Sequence, residues 1–244
     1  DINRGVNYSG PIVVIVNGFS ASASEFFANA IQDYNRGIII GNETYGKASS
    51  QSIVPFDDSI NNKDFVKITG QKFYRITGKS HQNTGLKPDV KLPFLFQDFI
   101  QKESKYKNSL DNDSIVPKLN FKKYNNNFAT AIQKSQKRIE SSEYFKEVSG
   151  LNKKLETFIK TEKKPLLLNF SSVFDEVYRT NILYEETEKL NNKKLPFSIK
   201  NTTSETERIK FDNYLQTSNT EKINELQKNA RVLEAIEIIY DLTH

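Results

Sequence analysis

Near its start the chain runs Pro11-Ile12-Val13-Val14-Ile15-Val16, then Asn17-Gly18-Phe19-Ser20-Ala21-Ser22-Ala23-Ser24-Glu25. An unbroken apolar run of this length, without polar alternation, is that of a strand covered on both faces. Residues 23–34 contain neither Gly nor Pro, and Phe27, Ala30, Ile31 and Tyr34 fall at helical spacing. Gly37-Ile38-Ile39-Ile40-Gly41 then repeats the apolar-strand signature. Strand, small-residue turn, helix and strand in that order predict a βαβ unit, whose crossover is right-handed. The amino-terminal half is therefore expected to be α/β.

Further along, Asp64-Phe65-Val66-Lys67-Ile68-Thr69 and Lys72-Phe73-Tyr74-Arg75-Ile76 read as successive strands, followed by a turn-rich stretch over residues 78–85. Residues 104–117 become polar, with Asn108, Asp111, Asn112, Asp113 and Ser114 crowded together, and are expected to be a linker. Beyond it glycine nearly vanishes and helical periods take over. Phe128, Ile132, Ser135 and Ile139 mark one stripe, and Ile223, Leu226, Ala230, Leu233, Ile236 and Tyr240 another, both read as packing faces. The sequence thus divides into an α/β part over residues 1–103, the 104–117 linker and an all-α part over residues 118–244.

Composition removes several function classes. The net charge of +5 is spread as interspersed Lys and Glu over the helical half, the pattern of solvated helix faces and not of a nucleic-acid-binding stripe. The absence of Cys excludes disulfides, cysteine zinc sites and thiol nucleophiles. No run of apolar residues is long enough for a membrane span. The opening Asp1-Ile2-Asn3-Arg4 is neither an initiator methionine nor a signal peptide, so any targeting segment is expected upstream.

The junction at Ser20, Ser22 and Ser24 is where chemistry is expected. Backbone N–H groups at a helix start are unpaired and favour anions, so a serine there is held rigidly beside a donor suited to an oxyanion. Local chemistry leaves a plainer alternative open, in which the three serines are helix caps. The segment Gly18-Phe19-Ser20-Ala21-Ser22 also lacks the second glycine of a G-x-S-x-G elbow. A serine nucleophile needs a base, and histidine is scarce: His244 ends the chain and His81, in the turn-rich stretch, is expected at the surface. A lysine can replace histidine where burial brings its pKa from about 10.4 towards neutrality, at roughly 4 kcal/mol, which calls for an apolar, closed site. Lys47 follows the second apolar strand, so adjacent parallel strands would deliver it and Ser22 to the same carboxyl edge. Gln51, four residues on, is in reach of Lys47, and a neutral amide orients a lysine without stabilising its charge.

These residues together resemble the carboxy-terminal processing (tail-specific) serine proteases. The resemblance rests on the S-A-S-A-S run with Glu25, on Gly46-Lys47 and Gln51, on Gln71-Lys72-Phe73-Tyr74-Arg75, on Gly78-Lys79-Ser80 and on Gly85-Leu86-Lys87-Pro88-Asp89. It covers about residues 8–93 strongly. Phe73-Tyr74-Arg75 and the long helical tail resemble the longer, periplasmic subgroup. Ala48 departs from the glycine that many relatives carry beside the lysine.

By that resemblance Ser22 is the nucleophile, Lys47 the general base and Gln51 the residue that orients it. The Ala23 N–H is half of the oxyanion hole, the other half coming from an upstream glycine. Asp33 corresponds to an aspartate implicated in some members, although its place near a helix end beside Tyr34 and Arg36 favours a structural role. No cofactor or metal is implied. Substrates are proteins with exposed apolar carboxyl tails, an adaptor protein is a possible partner, and the location is periplasmic or cell-envelope. Membrane association, like the PDZ domain and the first part of the protease core, belongs to upstream sequence, so the isolated chain is expected to be a poor enzyme. The rival reading is a non-catalytic scaffold on the protease fold, with the helical half docking partners.

Overall fold

The computed structural model describes residues 5–6, 8–56, 64–117, 119–160 and 167–244; the opening residues 1–4 lie outside them. Its contacts form two compact units. One is built from the chain up to Leu92 together with Gln97–Ile132, the other mainly from Pro93–Phe96 and Gln133–Leu242.

In the first unit β1 (Val13–Val16) leads into α1 (Ala23–Asp33), which returns the chain to β2 (Ile38–Gly41). The two strands are parallel neighbours, with Val13 opposite Ile38 and Val16 opposite Gly41. The short β5 (Val90–Lys91) adds to the other side of β2, also parallel, giving the order β1-β2-β5. The expected βαβ unit is present, with α1 ending one residue short of the expected limit. Central β2 carries Ile38, Ile39 and Ile40, all fully buried. Val16, Ala28, Ile39 and Leu86 form a core cluster, against which Val14 and Ile31 pack. At the end of β2, Gly41 adopts φ +120°, and a Cβ there would collide with the Val16 carbonyl oxygen. Glycine lets the backbone pass close enough for the Asn42 N–H to reach that same oxygen at 3.0 Å.

Two sequence expectations are corrected in this unit. A strand the sequence did not announce, β3 (Ser49–Pro55), pairs antiparallel with β4 (Phe65–Lys72) as a separate two-stranded sheet. The Lys72–Ile76 stretch is not a second strand. β4 ends at Lys72; the Phe73 N–H still donates to the Ala48 carbonyl at 2.8 Å, and the Arg75 guanidinium beyond it turns inward to the buried Asp33 carboxylate. Residues 104–117, expected as a linker, lie within this unit. Asn112 donates to the Gln82 carbonyl at 2.5 Å and Asp113 pairs with Lys72 at 2.8 Å.

The remaining elements are α2 (Ala129–Ser141), α3 (Glu143–Lys160), α4 (Phe170–Asn191), α5 (Thr203–Ile209), α6 (Asn213–Gln227) and α7 (Ala230–Thr243). The protein is thus an α/β part followed by a helical region. Asn169, Thr202, Asp212 and Asn229 start α4 to α7, each accepting a backbone N–H of the first turn on its side chain. Phe145, Val148, Leu151, Leu155 and Leu190 are buried in the second unit. Arg138 forks onto Glu234 and Asp241. The stripe read from Ile223 to Tyr240 as one face is cut by the Asn229 cap into two helices. In α7 the buried positions are Ala230, Glu234, Ala235 and Ile238, while Ile236 and Tyr240 are exposed. No described helix is long and apolar enough to cross a membrane.

Candidate active site

The turn between β1 and α1 is tied by its own small polar residues. The Asn17 N–H donates to Ser20 Oγ at 3.1 Å, the Phe19 N–H to Asn17 Oδ1 at 2.9 Å, and Ser24 Oγ to the Ala21 carbonyl at 2.8 Å. Ser20 and Ser24 therefore support the turn locally, and neither caps α1. Ser22 differs. It stands at the N-cap of α1 with φ 55° and ψ −114°, the first-corner geometry of a type II′ turn, which a residue with a side chain adopts at a cost of about 1–3 kcal/mol. A serine held in that conformation between a strand and a helix is the arrangement of a nucleophile elbow, reached here without the second glycine. Ala23 follows as the first helical residue, so its N–H is among the donors that a helix start leaves unpaired.

Glu25 organises the surroundings. Its side chain is wholly buried and accepts four hydrogen bonds. Oε2 takes the backbone N–H of Ser22 and that of Lys47, each at 2.9 Å. Oε1 takes the Thr44 hydroxyl at 2.5 Å and the Gly46 N–H at 2.7 Å. Two bonds to one oxygen keep the Ser22 and Lys47 nitrogens within twice that 2.9 Å of each other, although α1 and the loop after β2 are separate elements. Gly46 adopts φ +95°, and a Cβ there would crowd the Gly85 nitrogen. The sequence signal for Glu25 was the S-x-x-E spacing of a capping box, a local motif that gives no hint of the bonds to Thr44, Gly46 and Lys47.

Lys47 lies in the loop between β2 and β3, half-buried, and its Nζ donates to Gln51 Oε1 at 3.3 Å. Gln51 belongs to β3, at the point where that strand's register shifts between Ser50 and Gln51. The Lys47–Gln51 contact is therefore formed, with Gln51 presented by a strand. Among the described residues the closed surroundings expected for the base are not formed: Lys47 is half-buried and Gln51 is exposed. Gln82, fully buried, fixes the next residue by accepting the Ala48 N–H at 2.7 Å.

Asp33 stands elsewhere. It closes α1 at the end opposite Ser22, about 16 Å along the helix axis. There it accepts Arg75 Nε at 2.9 Å and Nη2 at 2.5 Å. His81 departs from expectation, being only 2% exposed. Its Nδ1 lies 3.0 Å from Asn29 Nδ2 and its Nε2 lies 3.7 Å from Glu25 Oε2. Burial pushes its pKa below the ordinary 6.5, assisted by the charge of Arg75 and opposed by Glu25 and the Lys47 backbone. The position could not be read from the sequence, where His81 sits in a polar, turn-rich run. Among the described residues no cluster of His, Asp and Glu could hold a metal ion.

The model of Peptidase family S41 matches residues 2–92. A tail-specific protease of Haemophilus influenzae is 41% identical over 114 residues, which are 44% of this chain and 16% of that protein. A carboxy-terminal-processing protease of Bartonella bacilliformis is 41% identical over 80 residues, 33% of this chain and 18% of that protein. Among solved structures, a photosystem II D1 C-terminal processing protease shares 38% identity over 34% of this chain and 20% of its own, with a TM-score of 0.30. The chain thus spans less than a fifth of the length of the curated relatives named here. Over residues 2–92 it matches peptidase family S41 and is similar to the tail-specific and carboxy-terminal-processing proteases.

Proposed function

We propose that Ser22, Lys47 and Gln51 are the nucleophile, general base and base-orienting amide of a serine endopeptidase that processes or degrades proteins from their carboxyl tails. The observation that carries this reading is the shared Glu25 Oε2, which fastens the backbone of a strained serine to the backbone of a lysine whose amine is held by Gln51. The uncharged Lys47 amine takes the Ser22 proton as Ser22 Oγ attacks the scissile carbonyl. The Ala23 N–H stabilises the oxyanion. The lysine then returns the proton to the leaving amine, and a water molecule repeats the sequence on the acyl-enzyme. No step calls for a metal or cofactor. Asp33 has no part in this mechanism, its carboxylate being committed to Arg75 at the far end of α1.

Because the chain spans less than a fifth of its relatives, turnover is proposed for a protein that joins it to the rest of a protease core, and the chain alone is expected to cleave poorly. A periplasmic or cell-envelope location and polypeptide substrates with apolar carboxyl ends belong to this proposal and rest on the family resemblance of the sequence. In a full-length protein carrying this chain, Ser22→Ala and Lys47→Ala should each lower turnover of an unstructured polypeptide at least about a thousandfold. The unfolding midpoint should stay unchanged. Full activity of Lys47→Ala would remove lysine from the mechanism. Failure of a covalent serine probe to label Ser22 would favour the scaffold reading.

A further inference from the structure

We propose that His81 is a positioning residue for this site: its neutral ring, fixed by Asn29, keeps the Glu25 carboxylate where it clasps the Ser22 and Lys47 backbones. The inference rests on the peptidase reading of Ser22 and Lys47. It starts from a side chain that the mechanism leaves unused, a histidine enclosed at 2% exposure directly beneath the Glu25 bridge.

The tautomer follows from the neighbours. Asn29 Nδ2 is a donor, so Nδ1 of His81, 3.0 Å away, accepts and the single proton of a neutral ring resides on Nε2. That N–H faces Glu25 Oε2 at 3.7 Å, and Oε2 is the oxygen that holds both the Ser22 and the Lys47 N–H groups. The Nε2 atom has no partner at hydrogen-bonding geometry. It therefore acts as a dipole beside a carboxylate already bonded four times. The Phe26 ring meets the imidazole edge-on at 6.0 Å and closes another side.

A second ring proton changes this arrangement. Asn29 Oδ1, buried and without a partner, becomes available to a protonated Nδ1 once the amide turns over. Nε2 then belongs to a cation, and the attraction across 3.7 Å draws Oε2 away from the two backbone N–H groups. The charged groups around the ring decide when this happens. Glu25 and the Lys47 backbone favour the cation; burial and Arg75 oppose it. Asp33 neutralises Arg75 at the far side of the same small cavity, of about 150 Å³, which Tyr34 and Tyr74 also line. The Lys47 amine is turned to Gln51, and Glu103 is engaged by Gln82, the neighbour of His81. Burial is the largest of these influences, so the ring stays neutral at neutral pH and gains its proton only below 6.5.

The test compares His81→Gln and His81→Leu with the parent in a full-length protein carrying this chain, reading kcat and KM on an unstructured polypeptide from pH 5 to pH 9. Gln keeps an N–H near the reach of Nε2 but cannot titrate, and Leu supplies neither. At pH 8 the Leu variant should lose about tenfold in kcat with KM within about twofold, and the Gln variant should recover most of that loss. Below pH 6.5 the parent should lose kcat more steeply than the Gln variant, which has no ring to titrate. Unchanged kcat in the Leu variant, or an acid limb equally steep in the parent and the Gln variant, would overturn the proposal. The imidazole nitrogens of this chain, observed by 15N NMR, read the ring without turnover: Nδ1 bare and Nε2 protonated at pH 8 is expected, and the opposite tautomer refutes it. An active Ser22→Ala protein would instead refute the peptidase reading, with the NMR result standing separately.

Discussion

Replacing Glu25 by Gln keeps the length and shape of the side chain but exchanges one acceptor oxygen for an NH2 group. The four donors around Glu25 are three backbone N–H groups and one hydroxyl, and only the hydroxyl can turn round to accept. The better orientation puts the amide oxygen where Oε2 was, keeping Ser22 and Lys47 at the strength of neutral bonds. The amide NH2 then faces Thr44 Oγ1, already an acceptor for the Leu86 N–H at 2.6 Å, and the Gly46 N–H, which is left with no acceptor. One buried donor without a partner costs about 1–3 kcal/mol, and loss of charge assistance on two bonds adds roughly 1 kcal/mol or more. The expected destabilisation is about 3 kcal/mol, and the opposite amide orientation, which confronts two N–H groups, is worse. The helical unit dominates any bulk helix signal, so the measurement is amide hydrogen exchange at Gly46 and Lys47. A loss of about 3 kcal/mol shortens their protection roughly a hundredfold. Protection unchanged within about threefold would refute the claim that this carboxylate fastens the loop to α1.

Two further perturbations test the frame that carries the site. Arg75→Leu leaves the 7%-exposed Asp33 carboxylate buried without its partner and should cost about 3–5 kcal/mol in urea unfolding of the first unit; adding Asp33→Asn should recover part of that, and an additive double variant would deny the pairing. Gly41→Ala must place a Cβ against the Val16 carbonyl oxygen at φ +120° and should cost about 2–4 kcal/mol, read as a lowered unfolding midpoint; an unshifted midpoint would show that β2 can move off β1.

The parts of the fold that sequence revealed are those whose side chains are sorted by burial. Ile38, Ile39 and Ile40 are apolar in unbroken succession because the central strand is covered on both faces, and the same logic located β1. β3 escaped notice because, from Gln51 to Pro55, its side chains are exposed; Ser49-Ser50-Gln51-Ser52 has no apolar alternation to detect, and its ladder is built from backbone groups that every residue carries. The chemistry divides in the same way. Ser22, Lys47 and Gln51 could be singled out as a candidate set because their types and spacing are chemically unusual next to two apolar strands. The burial of His81 was not legible, because the groups that enclose it, Glu25, Phe26 and Asn29, come from a helix more than fifty residues earlier.

Glu25 explains why the site is coherent although its members come from three local structures. A capping carboxylate ordinarily satisfies one or two donors of its own helix. Here the side chain is turned inward, so only the Ser22 N–H is local and the other three donors belong to the loop after β2. The parallel register of β1 and β2 brings that loop to the start of α1, because Val16 and Gly41 end their strands side by side. A one-residue slip of β2 would carry Thr44, Gly46 and Lys47 about 3.3 Å along the strand, further than a hydrogen bond tolerates. The strand register therefore sets the relation of Ser22 to Lys47, and the buried carboxylate penalises any departure from it. Asp33, at the other end of the same helix, makes the complementary point. Its distance in sequence from Ser22 is short, but a rigid helix separates them by three turns, and it serves the packing of Arg75.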